Sequence, residues 1–163
     1  GDGGGGGGGG DGEAAEDDAA ALRDCVGALL MMARNEGCEA RAVMAGALNA
    51  LLGLVASPDA MTAAWSVGAM WNLAQHHANE IASLGEDGSG MQVLLAVGAN
   101  PATNDIKQRS VGLFVKMLRN SAVAQSMFMS AVSRLVAGRD ADAVAEDDVG
   151  DGGGEGVDGA GAG

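Results

Sequence analysis

The sequence predicts an all-α fold in which a helical unit recurs, and three observations carry that prediction. Gly27-Ala28, Gly68-Ala69 and Gly112-Leu113 sit at the same point of long apolar helical patterns, 41 and then 44 residues apart. Asn35, His76 and Asn120 keep the same offsets and close each pattern, while Pro58 and Pro101 stand 43 apart ahead of the second and third. Leu48, Leu51 and Leu54 return as Met91, Leu94 and Val97, again 43 residues on. A period of roughly 40 to 47 residues with two or three helices per unit belongs to α-solenoids, which present an extended concave surface to other chains. Binding rather than catalysis is the expectation.

Each element follows from its own pattern. Ala19 to Asn35 is predicted helical, with Leu22, Cys25, Val26, Leu29, Leu30, Met32 and Ala33 at spacings of three and four that bury more than one face. A short helix over Cys38 to Ala45 leads to Gly46, where a side chain would obstruct a sharp turn, and then to a helix over Ala47 to Val55. Ser57-Pro58-Asp59 is a start signal in which Ser57 caps and Pro58 takes the first helical position. The second long helix is predicted over Met61 to Gln75, followed by short ones over Ala78 to Leu84 and Met91 to Val97, with the loop Gly85 to Gly90 in place of the single Gly46. Asp105 to Arg119 is the third long helix. Ala122 to Met129 and Ala131 to Ala137 are the last two, ending at Gly138 with no long helix after them.

Composition divides the chain into three segments. Residues 1–18 and 140–163 are Gly-rich and carry six and eight acids without a base, which leaves too little apolar area to offset the entropy of ordering, so both are predicted disordered. Residues 19–139 are the expected folded domain. All nine Lys and Arg lie there beside eight acids, so the net charge of -13 belongs to the tails. No basic stripe is available for phosphates, and nucleic acid is not an expected partner. The longest apolar run, around Val26 to Ala33, falls far short of the ~20 residues of a membrane span. Cys25 and Cys38 are the only cysteines, and no signal peptide opens the chain, so a soluble intracellular protein, cytoplasmic or nuclear, with reduced thiols is expected. Opening on Gly1 rather than Met suggests a fragment or an incomplete gene model.

The unit resembles the armadillo repeat: a short helix, a Gly turn, a middle helix, and a long third helix ending in Ala-Leu-x-Asn-Leu-Ala. Ala69-Met70-Trp71-Asn72-Leu73-Ala74 carries the third-helix motif, and Met44-Ala45-Gly46-Ala47-Leu48-Asn49-Ala50-Leu51-Leu52 is similar to the turn between the first two helices. The resemblance spans Ala19 to Gly138 and implies a right-handed α-solenoid of three-helix repeats. Two repeats would be complete, preceded by a lone third helix and followed by a repeat that lacks one. Armadillo adaptors that carry nuclear-import signals resemble one another in a Trp four residues before the Asn. Here Gly68 takes that place, and Met31 and Lys116 replace the Asn in the flanking units, which argues against import-signal recognition. Catenin-like members use Lys, Arg, Asn and His along the groove for extended acidic partners, and that fits these residues better.

Residues four, seven and eleven positions apart share a helical face. Trp65, Gly68, Asn72 and His76 meet that rule, and the repeat offsets carry it to Asp24, Gly27, Met31 and Asn35 and to Arg109, Gly112, Lys116 and Asn120. Stacked, the three columns would form the concave, peptide-binding groove, with Met31, Asn72 and Lys116 as lateral neighbours. Asn72 offers a donor and an acceptor to an extended backbone. Arg109 and Lys116 form a basic spot suited to carboxylates, or are simply solvated, and Trp65 is either an aromatic anchor or core. Trp71 is expected to pack near Leu30 and Val115, and the nine Met residues to fill the core.

No chemistry stands out beside this surface. His76, His77, Cys25 and Cys38 lack metal-site spacing, the Gly85 to Gly90 loop lacks a phosphate-loop ending, and no Ser, His and acid set appears, so no catalytic residue, metal or cofactor is expected. The protein is expected to be a non-enzymatic scaffold that binds extended, acidic segments of other proteins. Two alternatives remain: a regulatory or targeting portion of a larger enzyme, since armadillo arrays occur beside ubiquitin-ligase and kinase domains, and a structural module that self-associates through uncapped ends. The acidic tails are themselves candidates to occupy the Arg109 and Lys116 region in competition with a partner.

Overall fold

A computed structural model describes residues 10–85 and 88–147 of the chain. Among them are eight helices and no strand: α1 (Gly10–Met32), α2 (Glu36–Met44), α3 (Ala47–Leu54), α4 (Ala60–Leu73), α5 (Ala78–Ala82), α6 (Ser89–Ala99), α7 (Asn104–Asn120) and α8 (Ala122–Asp147). The long helices α1, α4 and α7 lie side by side with α4 in the middle. Behind them α3 packs on α4 and α6 on α7, while α2 joins α1 to α3 and α5 links α6, α7 and α8.

The small residue of each long helix is what permits the close approach. A Cβ added at Gly27 would stand 3.0 Å from Cζ3 of Trp65, and one at Gly112 would stand 2.9 Å from Cε2 of Trp71. At Gly68 it would meet the guanidinium of Arg109. The periodic glycines of the sequence are therefore seats for large side chains of the neighbouring long helix. Val26, Leu51, Val67, Met70, Leu73, Ile81, Leu94, Leu113 and Met117 form one continuous core between the two layers. Truncating such a residue to Ala costs about 2 to 5 kcal/mol, because the packed surroundings close only partly around the void.

Turn chemistry explains where the helices break. Gly46 has φ 88° and Gly88 φ 75°, left-handed conformations that separate α2 from α3 and open α6. The last unit was expected to break in the same way, yet α8 runs without interruption through Ser130 and Gly138. No glycine stands before Ala131 to take the left-handed conformation, so the hydrogen-bond ladder simply continues. The start of α4 also differs from expectation. Asp59, not Ser57, is the cap: its side chain accepts from the Thr62 N–H at 2.8 Å, and Pro58 precedes the helix. Ser57 Oγ instead accepts from the Asp59 N–H at 3.2 Å.

Both ends of the domain carry helix into segments whose composition suggested disorder. α1 starts at Gly10 rather than Ala19, and α8 reaches Asp147. The added part of α1, Gly10 to Asp18, includes the helix formers Glu13, Ala14, Ala15 and Glu16, and its acids near the start complement the helix dipole. Side chains of residues 15–20 are exposed, so local propensity rather than burial supports this extension. The remainder of both tails lies outside the described residues.

Candidate functional site

The C-terminal end of α4 meets α7 on one side and the α1–α2 corner on the other. There Arg34, Glu36, Glu39, Asn72, His76 and Lys116 line a shallow groove of about 260 Å³, together with Ala33 and Gln75. Asn72 is half-buried in its floor. The Lys116 ammonium lies 5.5 Å from the centroid of the Trp71 ring, a separation at which the ring face attracts a cation. Trp71 sits against Gly112 and keeps 37% of its surface exposed. Its ring thus packs on α7, the long helix that carries Val115.

His76 is tied across units. Its Nδ1 lies 2.6 Å from Oε1 of Glu39 on α2, and Glu39 is only 9% exposed. A buried carboxylate needs such a partner, because desolvation penalises an unpaired charge. The pair fixes the groove wall formed by α2 and leaves Arg34 and Lys116 as its cationic groups. Among the described residues Lys116 forms no ion pair.

The other predicted groove residues divide by what they already hold. Asn120 donates through Nδ2 to the carbonyls of Ala74 and Gln75, at 3.1 and 3.2 Å, so it satisfies carbonyls at the end of α4. Asn35 caps α2 by accepting from the Gly37 N–H at 3.0 Å. Arg109 places Nε 2.9 Å from each Asp105 carboxylate oxygen and extends over Gly68, so its charge is balanced within the chain. Trp65 is half-buried against Gly27 and the core. Asp24 is exposed, and Met31, 64% exposed, does not line the groove that brings Asn72 and Lys116 together. Ala33 and Arg34, in the turn that follows α1, occupy that side of the groove instead.

Trp71, Glu39 and Arg34 were not singled out as site residues in the sequence. Trp71 carried a signal, its position beside Asn72 in the third-helix motif. Glu39 carried none, being 37 residues from its partner His76.

At the opposite end of α4, Arg23 of α1 grips Asp59 through Nε and Nη2 at 3.2 and 3.1 Å. Hydrogen bonds from the Thr62 hydroxyl and amide, with the help of Arg23, lower the Asp59 pKa from 3.8 to about 2. This joint fixes the stacking of α1 on α4 well away from the groove. No helix among the described residues is long and apolar enough to cross a membrane, and no group of three or more His, Cys, Asp or Glu is placed to hold a metal ion. Cys25 and Cys38 are both free thiols. Comparison with family models, curated proteins and solved structures finds no match to this chain.

Proposed function

We propose that the chain is an armadillo-like, right-handed α-solenoid that holds an extended, acidic segment of another protein along its long helices, without bond chemistry. The observation that carries this reading is the Lys116 ammonium held over Trp71 beside Asn72, at the edge of the groove that closes on His76 and Glu39. Lys116 supplies a charge already oriented by the indole, so little side-chain freedom is lost when a carboxylate binds. Asn72 supplies both donor and acceptor for the peptide backbone. Arg34 adds a second cation on the facing wall, while the carboxylate of Glu39 is engaged by His76. The side-by-side long helices and the glycine seats between them support the repeat arrangement.

Fluorescence anisotropy with a labelled Glu-rich peptide and a Lys-rich counterpart tests the proposal. The Glu-rich peptide is expected to bind. Because a hydrogen bond to a charged group contributes about 1.5 to 3 kcal/mol, Lys116→Ala is expected to weaken it roughly tenfold or more. Asn72→Ala and Trp71→Ala weaken it as well. Preference for the Lys-rich peptide, or unchanged affinity in the Lys116 and Asn72 variants, would overturn it.

A further inference from the structure

The charged and titratable groups of the peptide groove come from each of its walls. Arg34 stands in the turn after α1, Glu36 and Glu39 on α2, His76 just beyond the end of α4, and Lys116 on α7. Among the described residues only Glu39 of the four fixed charges has an ion-pair partner, and that partner is His76 itself. With a neutral imidazole, two cations and two carboxylates leave the lining without net charge. The protonation state of His76 therefore decides whether the groove as a whole is neutral or positive.

The way the ring is held decides where a further proton goes. Nδ1 lies 2.6 Å from Oε1 of Glu39, and a carboxylate oxygen only accepts, so Nδ1 carries the hydrogen and donates it. In the neutral ring Nε2 is then a bare acceptor. A second proton goes onto Nε2, and the bond from Nδ1 to Glu39 persists, now between an imidazolium and a carboxylate. Uptake thus adds a positive charge to the groove without releasing α2 from the end of α4. Solvent reaches the ring, since the His76 side chain is 50% exposed against 12% for that of Glu39. His77 is placed differently: its Nδ1 faces Glu80 of the following turn at 3.3 Å, and it does not line the groove.

We infer that His76 regulates the groove by its charge: an acidic segment is held more tightly as pH falls from 8 to 6, within the range where imidazole side chains gain their second proton. The inference rests on the reading of this groove as an acidic-peptide site. The peptide's own Glu side chains stay ionised over that interval, so the gain comes from the protein. At the equivalent positions of the flanking units stand Asn35 and Asn120, which cannot change charge, and the response belongs to the central unit alone.

Fluorescence anisotropy of the full chain with the labelled Glu-rich peptide at pH 8 and pH 6, at one ionic strength, tests it. A half-exposed charge contributes modestly, so Kd is expected to fall roughly two- to fivefold at pH 6. His76→Asn keeps an N–H donor for Glu39 but takes up no proton, and its Kd should be the same at both pH values. His77→Asn should retain the wild-type response. Should circular dichroism show that His76→Asn loses helix, His76→Gln, which also donates and does not titrate, takes its place. A wild-type Kd that is unchanged or rises at pH 6, a His76 variant that keeps the fall, or a His77 variant that abolishes it overturns the inference. Tight binding that ignores pH removes the regulation and leaves the acidic-segment reading standing, whereas failure of the Glu-rich peptide to bind at either pH removes both.

Discussion

Replacing the periodic glycines one at a time by alanine separates backbone propensity from packing at equivalent sites. In the helix interior Ala is favoured over Gly by about 0.8 to 1.0 kcal/mol, and this gain is common to all three positions. What differs is the neighbour. At Gly112 the new methyl meets three indole atoms of Trp71 at 2.9, 3.0 and 3.2 Å, and a rigid ring moves only as a unit. Overpacking of that kind costs about 1 to 3 kcal/mol, so Gly112→Ala should lose about 1 kcal/mol net. At Gly68 the opposing group is the tip of Arg109, a flexible side chain that can swing aside, and Gly68→Ala should gain about 0.5 kcal/mol or more. Gly27→Ala, facing Trp65 at 3.0 and 3.3 Å, belongs between them. Thermal and urea unfolding followed by circular dichroism measure the order, and the outer pair should differ by roughly 5 °C in midpoint. Tryptophan fluorescence should change more in Gly112→Ala than in Gly68→Ala, since only the former displaces an indole. If Gly112→Ala proves as stable as Gly68→Ala, the glycines are not seats for the neighbouring helix and the packing described between α4 and α7 is wrong.

Two further outcomes follow from local geometry. Gly46 holds φ 88° with nothing within 4 Å of an added Cβ, so Gly46→Ala should lose about 1 to 2 kcal/mol from backbone strain alone, measured by urea unfolding; an unchanged midpoint would refute the left-handed turn. Asp59 has a folded pKa of about 2 against an ordinary value of 3.8, so its contribution to stability is fully present above 3.8 and is lost as pH falls toward 2. Asp59→Asn keeps a capping oxygen but cannot titrate, and its thermal midpoint should fall less steeply over that acid window than wild type's. Identical acid limbs for the two proteins would exclude Asp59 as a contributor.

The helical elements were legible because their causes are local. Glycine at position 46, the i, i+3, i+4 apolar spacing of the long helices and the recurrence of both at a fixed offset are properties of neighbouring residues. Errors arose where local signals competed. Ser57, Pro58 and Asp59 each suit a helix start, and the bidentate hold of Arg23, from another helix, engages Asp59. The break expected before Ala131 was carried over from the earlier units although no glycine stands there, and the α8 ladder continued. Disorder judged from charge and glycine content missed the helix formers Glu13, Ala14, Ala15 and Glu16 in the added part of α1.

The groove was legible only in part. Asn72 and Lys116 were placed together by the repeat offset, and the structure has them line one groove. Asn35, Asn120 and Arg109 looked equally available, yet each is engaged by a group of this same chain. Side-chain type announces what a residue can bond to, not whether that capacity is already used.

By itself the amino-acid sequence determined that the chain is helical, most of its helices, and the interval at which small residues recur, since dihedral preference and helical period act over a few residues. Only the tertiary structure decided that Trp71 supports Lys116, that Glu39 answers His76 and that Asn120 closes α4. Those pairings join residues 37 to 46 positions apart, and their energies exist only once packing has brought the groups within hydrogen-bonding or van der Waals reach.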